Sequence, residues 1–225
     1  MEIFYAIIAN LSAFLLGYLW GSLNTSIIFS KILKNDDVRN YHSKNAGATN
    51  SLRVYGKKFA LAVLIIDILK VVLATYTAYF ISWAWNDHIV FIPLLVGLGT
   101  TIGHVYPVFF GFKGGKAVAC SVGLLISTNI VLFPIAALVF FGLIFWKKYV
   151  SLASIVTAIV MSALVFWPWI VSGILAINQA QNVGDAWYVD SFVNLVAYIL
   201  LIFSHRSNIK RLINGNESQI KTSKK

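Results

Sequence analysis

The sequence predicts an all-α integral membrane protein of seven transmembrane helices, with its N-terminus outside and its C-terminus cytoplasmic. Three observations predict it. Of 225 residues, 59% are hydrophobic and only 12% charged, with a mean hydropathy of +0.78, whereas soluble domains carry about 25% charged residues. The apolar residues fall in long runs of the length that a bilayer demands. The basic residues gather in short clusters between those runs, as cytoplasmic loops do.

Taken in order, residues 3–30 carry no charge and make the first span. Glu2 stands where a signal peptide would be basic, so this run is expected to stay as a helix. Residues 59–83 make a second span, interrupted by Asp67 and Lys70, and residues 89–104 a third. The run 117–146 is uncharged for 30 residues, which at about 1.5 Å per residue is too long for one simple crossing. Lys113 and Lys116 precede it and Lys147 and Lys148 follow it, so both ends belong inside. The run therefore divides into two short helices, turning near Ser127-Thr128-Asn129 and before Pro134. Residues 151–177 make a sixth span, and residues 187–204 a seventh that opens on the interfacial pair Trp187-Tyr188.

This count leaves Glu2, the 84–88 turn, the 128–130 turn and the 178–190 loop outside, all without Lys or Arg. Every one of the 18 basic residues except Lys70 then lies in an inner segment. The two short crossings must tilt or sit in thinned bilayer. Residues 1–205 form a single seven-helix domain with inner-face loops, and residues 206–225 a basic cytoplasmic tail. The net charge of +10 suits anionic lipid, and no nucleic-acid motif accompanies it. One cysteine, Cys120, excludes an intramolecular disulfide. No internal repeat of the kind that secondary transporters carry is visible.

Three inner segments are rich in glycine and polar residues. The first runs from Ser43 through Asn45, Gly47, Thr49, Asn50 and Ser51 to Arg53, closing on Gly56-Lys57-Lys58. Small residues let backbone N–H groups approach an anion, and Arg53 offers a bidentate fork. The same residues suit a solvated loop in which Asn50 or Ser51 caps the next helix. The second runs from Gly103-His104 to Lys113-Gly114-Gly115-Lys116. Two glycines between lysines, followed at once by an apolar helix, suit a phosphate at a helix N-terminus. The spacing is not that of a P-loop. A flexible basic turn is the bland alternative, but the glycine pair has little packing reason. The third contains His205 and Asn208, three apart and on one face if the last helix continues, with Arg211 and Glu217 beyond. Alone, it reads better as an amphipathic basic tail on anionic lipid, with the histidine incidental. Asp67 and Lys70 stand at i, i+3 inside an apolar helix, able to pair or to reach polar partners elsewhere.

At these residues the chain resembles the acyl-phosphate:glycerol-3-phosphate acyltransferases of bacterial membranes, the PlsY family. The resemblance begins at Gly21-Ser22 and continues through Ser43 to Arg53, Gly56-Lys57 and Asp67-Ile68-Leu69-Lys70. It then takes in Gly103 to Lys116 and Ser151-Leu152-Ala153-Ser154, and closes from His205 to Glu217. It implies a seven-helix enzyme of the bacterial cell (inner) membrane with its active site at the cytoplasmic face. It also implies acyl transfer from acyl phosphate to the 1-hydroxyl of glycerol 3-phosphate, giving lysophosphatidate. By the resemblance, Ser43, Arg53, His205 and Asn208 are catalytic. Asn45, Thr49, Asn50, Lys70, Lys113, Gly114, Gly115 and Lys116 are expected to bind substrate. Asp67, His104, Ser151 and Glu217 are expected to support the site. Lys44, Val71 and Ala117 replace glycines of the family pattern, and Asn24 and Thr25 replace a proline-bearing form.

An acyl phosphate is already activated, so no metal, cofactor or covalent intermediate is expected. What the chemistry needs is cations and N–H donors that hold two phosphate-bearing molecules together. The proton of the attacking hydroxyl is expected to pass to His205 or to a substrate phosphate oxygen. The expected partners are the two substrates and membrane lipid, with no nucleic acid and no obligate protein. The alternative is a transporter or flippase for an anionic phospholipid or small organic phosphate, with Asp67 and Lys70 as a gate. A purely structural membrane subunit would not explain three polar segments on one side.

Overall fold

The computed structural model of the protein describes residues 1–85, 90–173, 175–176 and 188–220. Among these residues every regular element is helical, and β-pairing is confined to one isolated bridge between Asn129 and Ala176. The uncharged run 3–30 is two helices, α1 (Glu2–Gly21) and α2 (Thr25–Lys34). Asn24 makes the break: it is extended, and its side chain accepts from the Ile27 N–H at 3.2 Å, capping α2. Two helices follow across Gly56, whose φ of +84° suits glycine: α3 (Ala48–Tyr55) and the long α4 (Lys57–Trp85). Asn50 and Ser51 lie within α3, and Gly47 is its N-cap, which corrects the expectation that either residue caps a helix.

Next come α5 (Leu94–Val105), α6 (Val118–Thr128) and α7 (Leu132–Lys147). The run 117–146 thus breaks at residues 129–131, where Asn129 accepts from the Val131 N–H at 2.9 Å. Pro134 falls in the first turn of α7, where its missing N–H costs nothing. The expected span 151–177 is shorter than read: α8 (Val150–Leu164) stops, and Pro168 starts the brief α9 (Pro168–Ser172). The chain ends in α10 (Tyr188–Ser204) and α11 (Arg206–Ile213), bent by 53° at His205 rather than continuous. Most of the 84–88 turn and of the 178–190 loop, Trp187 and Lys225 lie outside the described residues.

By length and composition, two stretches can cross a membrane, Glu2–Lys34 and Lys57–Ala84. A third is added if the bent pair α10–α11 is one span. The remaining apolar helices hold 10–17 residues each. Helix length therefore carries two or three crossings, not the seven read from charge. Large apolar side chains on the outer surfaces, among them Leu138, Phe145 and Trp146 on α7, are exposed, as suits a lipid-facing helix.

Glycine sets how closely the helices pack. Gly17 and Gly21 on α1 and Gly99 and Gly103 on α5 are two small-xxx-small pairs that face each other. A Cβ at Gly17 or Gly21 would collide with the Val96 or Thr100 backbone, and one at Gly99 or Gly103 with Phe14 or Tyr18. Thr75 of α4 and Leu124 of α6 fill the space left by Gly97 of α5, and the Ile68 carbonyl and Val71 of α4 that left by Gly123 of α6. One apolar core lies among α6, α7, α8, α9 and α10, and a second joins α4, α5, α6 and α10. These cores hold the helix ends that surround one cavity.

Candidate active site

The three polar segments converge on a cavity of about 820 Å3. In the first segment Asn50 is the organiser. Its Oδ1 accepts the Ser43 N–H at 3.2 Å, and its Nδ2 donates to the Val38 and Tyr41 carbonyls at 2.9 and 3.2 Å. The side chain is buried, and these bonds wrap the loop onto α3. Expected to bind substrate, Asn50 borders the cavity with its donors and acceptor spent on the loop. Ser43, Asn45, Thr49 and Arg53 also line the cavity. Thr49 and Arg53 are four residues apart on one face of α3. Among the described residues, no protein group hydrogen-bonds or pairs with the Arg53 guanidinium.

In the second segment the glycines have a packing reason, contrary to expectation. The Gly114 N–H donates to the Val105 carbonyl at 3.1 Å and the Gly115 N–H to the His104 carbonyl at 3.0 Å. A Cβ on Gly114 would meet the His104 carbonyl oxygen, and one on Gly115 the His104 Nε2. The Gly-Gly amides are thus committed to a turn, and the glycines and the exposed Lys113 lie beside the cavity rather than on its wall. Lys116 is on the wall, with Val118 and Ala119 in the first turn of α6. The N–H groups of that turn have no partner within their own helix, so they remain available to an anion.

The third segment closes the ring. Asn208 on α11 accepts from Lys116 Nζ and donates through Nδ2 to Glu217 Oε1 at 2.6 Å. Glu217 also accepts from the Ser151 hydroxyl at 2.7 Å and from Arg211 Nε at 2.7 Å. Residues 206–220, read as a tail, fold back on the site: the Ile220 N–H donates to the Lys148 carbonyl at 2.9 Å. Burial pushes the Glu217 carboxyl up, but its bonds from Asn208, Ser151 and Arg211 prevail and hold it below the usual range. Burial, then the Arg211 charge, depresses Lys116 to about 8. Burial likewise pushes His205 down to about 4, so its ring is neutral at physiological pH. His205 Nδ1 lies 2.8 Å from the Leu201 carbonyl. A carbonyl only accepts, so Nδ1 bears the proton and Nε2 is left as an acceptor.

Behind the cavity, Asp67 accepts from Lys70 Nζ at 2.9 Å and from the Thr25 hydroxyl at 2.8 Å. Lys70 Nζ also lies 3.1 Å from His104 Nδ1. Asp67 and His104 reach the cavity wall, while Lys70, expected to bind substrate, is buried in this cluster. Asp67, His104 and Cys120 place ligand-type atoms within 4.8 Å of one another. The Lys70 ammonium already supplies the positive charge there, bonded to both the carboxylate and the imidazole.

Sequence reasoning singled out neither Lys57 nor Arg211 as site residues, yet both line the cavity. Arg211 was legible as the third residue after Asn208, on the same helical face. Together Arg53, Lys57, Lys116 and Arg211 give the cavity wall four cations. The same wall carries apolar side chains, Leu61 and Leu64 of α4 and Phe140, Phe141 and Ile144 of α7. Such a wall can take an amphiphile that carries a phosphate.

Residues 11–215 match the family model described as glycerol-3-phosphate acyltransferase. A glycerol-3-phosphate acyltransferase of Mycoplasmopsis synoviae (strain 53) is 47% identical over all of this chain and all of its own length. Glycerol-3-phosphate acyltransferase 2 of Bacillus cereus (strain ATCC 10987 / NRS 248) is 40% identical, covering 94% of this chain and 96% of its own. The crystal structure of PlsY, an integral membrane glycerol 3-phosphate acyltransferase, in its glycerol 3-phosphate form, superposes with a TM-score of 0.75 and 34% identity. That match covers 95% of this chain and 96% of the other. The lysophosphatidic acid form gives a TM-score of 0.73 at 33% identity, with the same coverage. The chain therefore belongs to the glycerol-3-phosphate acyltransferase family of PlsY.

Proposed function

We propose that the protein transfers a fatty acyl group from acyl phosphate to the 1-hydroxyl of glycerol 3-phosphate, forming lysophosphatidate at the cytoplasmic face of the cell membrane. The observation that carries the reading is the mixed wall of the cavity: four cations, Arg53, Lys57, Lys116 and Arg211, together with an apolar flank from α4 and α7. Two dianionic substrates brought together repel each other, and only a concentration of fixed cations offsets that repulsion. The apolar flank accommodates the acyl chain. The solved relatives are a glycerol 3-phosphate form and a lysophosphatidic acid form, a substrate and a product of that reaction.

The residues divide by role. Lys116 and the first turn of α6 grip the glycerol phosphate, with Gly114 and Gly115 shaping the turn that presents Lys116. Ser43, Asn45, Thr49 and Arg53 hold the acyl phosphate and its departing phosphate. Asn208 fixes Lys116, and Glu217 fixes Asn208 with Ser151 behind it. Nε2 of His205 accepts the hydrogen bond of the attacking hydroxyl and orients it. A ring that protonates only near pH 4 is a weak base, whereas a phosphate monoester has its second pKa near 6. The proton therefore passes to a substrate phosphate oxygen. The hydroxyl oxygen forms its bond to the acyl carbon as the carbon–oxygen bond to phosphate breaks, and phosphate leaves with the electron pair.

Purified protein in liposomes, given radiolabelled glycerol 3-phosphate and synthetic acyl phosphate, should form labelled lysophosphatidate. Acyl-CoA in place of acyl phosphate should give none. Labelled glycerol 3-phosphate or phospholipid that moves without being acylated would replace this reading with the transporter.

A further inference from the structure

Two residues outside the cavity wall tie its first two segments to each other. Arg39 is clamped to Asp37, with Nη2–Oδ2 at 2.7 Å, and aims Nη1 at the Phe110 carbonyl at 2.8 Å and the Lys113 carbonyl at 3.0 Å. Asn24, wholly buried, directs Nδ2 to the Ala46 carbonyl and the His104 carbonyl, each at 3.3 Å. Between these ties the Ala46 N–H donates to the Gly114 carbonyl at 3.2 Å. Asn45 and Gly47, the neighbours of Ala46, line the cavity. Gly115, bonded to the His104 carbonyl, directly precedes Lys116.

We propose that Asn24 and Arg39 are positioning residues, a clasp that fixes the spacing between the first phosphate-gripping segment and the turn that presents Lys116. Neither residue borders the cavity, so neither touches substrate. A guanidinium fork holds a carboxylate and two carbonyls at once in one rigid plane, a geometry that an ammonium on a flexible stem does not impose. Elsewhere the second segment is tied by the Tyr18 hydroxyl, which donates to the Tyr106 carbonyl at 2.9 Å, and by Phe110 packed against Ile27, Val38 and Ala46. Among the described residues, Arg39 is the side chain that holds the Phe110 and Lys113 carbonyls. The segment's 3-10 turn, Val108–Phe110, has no buried residue, and the Val108 N–H meets the Ser22 hydroxyl only at 3.4 Å. Without the clasp the turn keeps its internal bonds and the Ala46–Gly114 backbone bond, and the distance of Lys116 from Arg53 is less firmly fixed.

The inference rests on the proposed acyl transfer for its kinetic test but not for its structural one. Arg39→Lys keeps the ion pair with Asp37 and loses the fork. Asn24→Ser keeps a capping oxygen for α2 and is too short to reach Ala46. In purified enzyme each variant should raise KM for glycerol 3-phosphate about tenfold and KM for acyl phosphate much less, a positioning loss of ordinary size. Combined with Lys116→Ala, Arg39→Lys should add little further, because Lys116 is what the clasp positions. Hydrogen exchange of the amides of residues 108–116 should quicken about tenfold, with α4 and α10 unchanged. Exchange needs no turnover, so it tests the clasp even in a chain that fails the acyl-phosphate assay. Unchanged exchange in this turn, or a fall in kcat at unchanged KM together with a lowered Tm, would overturn the clasp.

Discussion

Lys116 and His205 sit in the same partly buried ring and respond to burial in opposite functional senses. Burial favours the neutral form of each, which weakens the grip of Lys116 at high pH and keeps His205 uncharged through the physiological range. Lys116 loses its charge as pH rises through about 8, so KM for glycerol 3-phosphate should climb above that pH. Lys116→Arg should flatten the climb, and a KM that stays level to pH 9.5 in the native enzyme would count against Lys116 as the grip. Because burial pushes His205 down to about 4, an ionisation near neutrality is expected to come from a group other than His205, with substrate phosphate first among them. His205→Gln should therefore keep that ionisation and much of the turnover, since an amide carbonyl can accept the same hydrogen bond. The departures from the family's glycines gain meaning at this scale. Lys44 and Ala117 have φ of +56° and +65°, a region that costs a non-glycine residue about 1–2 kcal/mol. Ala117→Gly and Lys44→Gly should each stabilise the protein by roughly 0.5–1 kcal/mol, after allowing for the looser unfolded chain. Thermal unfolding in detergent measures it, and a lowered Tm for either would refute the strain. Types and spacing made the polar segments legible in the sequence. The use of the Gly114 and Gly115 amides was not, because their acceptors belong to a turn that folds back on itself.

At the scale of elements, apolar periodicity and charge located α4, α10 and the divided run 117–146. The break between α1 and α2 was hidden, because Ser22, Asn24 and Thr25 carry no charge. The Asn24 cap on Ile27 is local, but the bonds from Asn24 to Ala46 and His104 and from Thr25 to Asp67 reach far along the chain. The facing pairs Gly17/Gly21 and Gly99/Gly103 were readable as spacings, but only the fold shows that they meet. They make a clear contrast with Gly142 on α7, where a Cβ would meet nothing within 4 Å. Gly103→Ala should push α1 away from α5, destabilising by about 1–3 kcal/mol as overpacking does. The same shift would disturb Ser22 and Asn24, whose side chains bond to Val108, Ala46 and His104 beside the site, so activity should fall with stability. Gly142→Ala should be neutral or stabilising by up to about 1 kcal/mol through helix propensity. Equal Tm values for the two variants would show that α1 and α5 do not meet through these glycines.

For the whole molecule, charge and length give different accounts, and the difference is physical. The helices α5 to α8 hold 12, 11, 16 and 15 residues, which at about 1.5 Å per residue fall short of a hydrocarbon core of about 30 Å. A length criterion assumes that each helix meets lipid alone. In this bundle α5 and α6 are largely enclosed by their neighbours, and irregular backbone is tolerated at membrane depth where protein covers it. Asn129 illustrates this: buried between α6 and α7, it donates to the Ile170 carbonyl at 2.7 Å and so closes the break between two helices. The charge criterion asks instead which side each connection occupies, and the cavity bears on that. Its cations come from both sides of Gly56, from the start of α6 and from α11, so these helix ends share one face of the molecule. If the chain crosses seven times with its N-terminus outside, as charge predicts, that face lies in the cytoplasm. Cysteine introduced at Asn40, exposed on the cavity side, should then resist an impermeant maleimide in intact cells and react once the membrane is opened. Cysteine introduced at Asn182 should react in intact cells. The native Cys120 is fully buried and adds little background. Labelling of Asn40→Cys from outside, with Asn182→Cys protected, would invert the topology and move the active site to the opposite face. Labelling of both from outside would instead remove one crossing from the count.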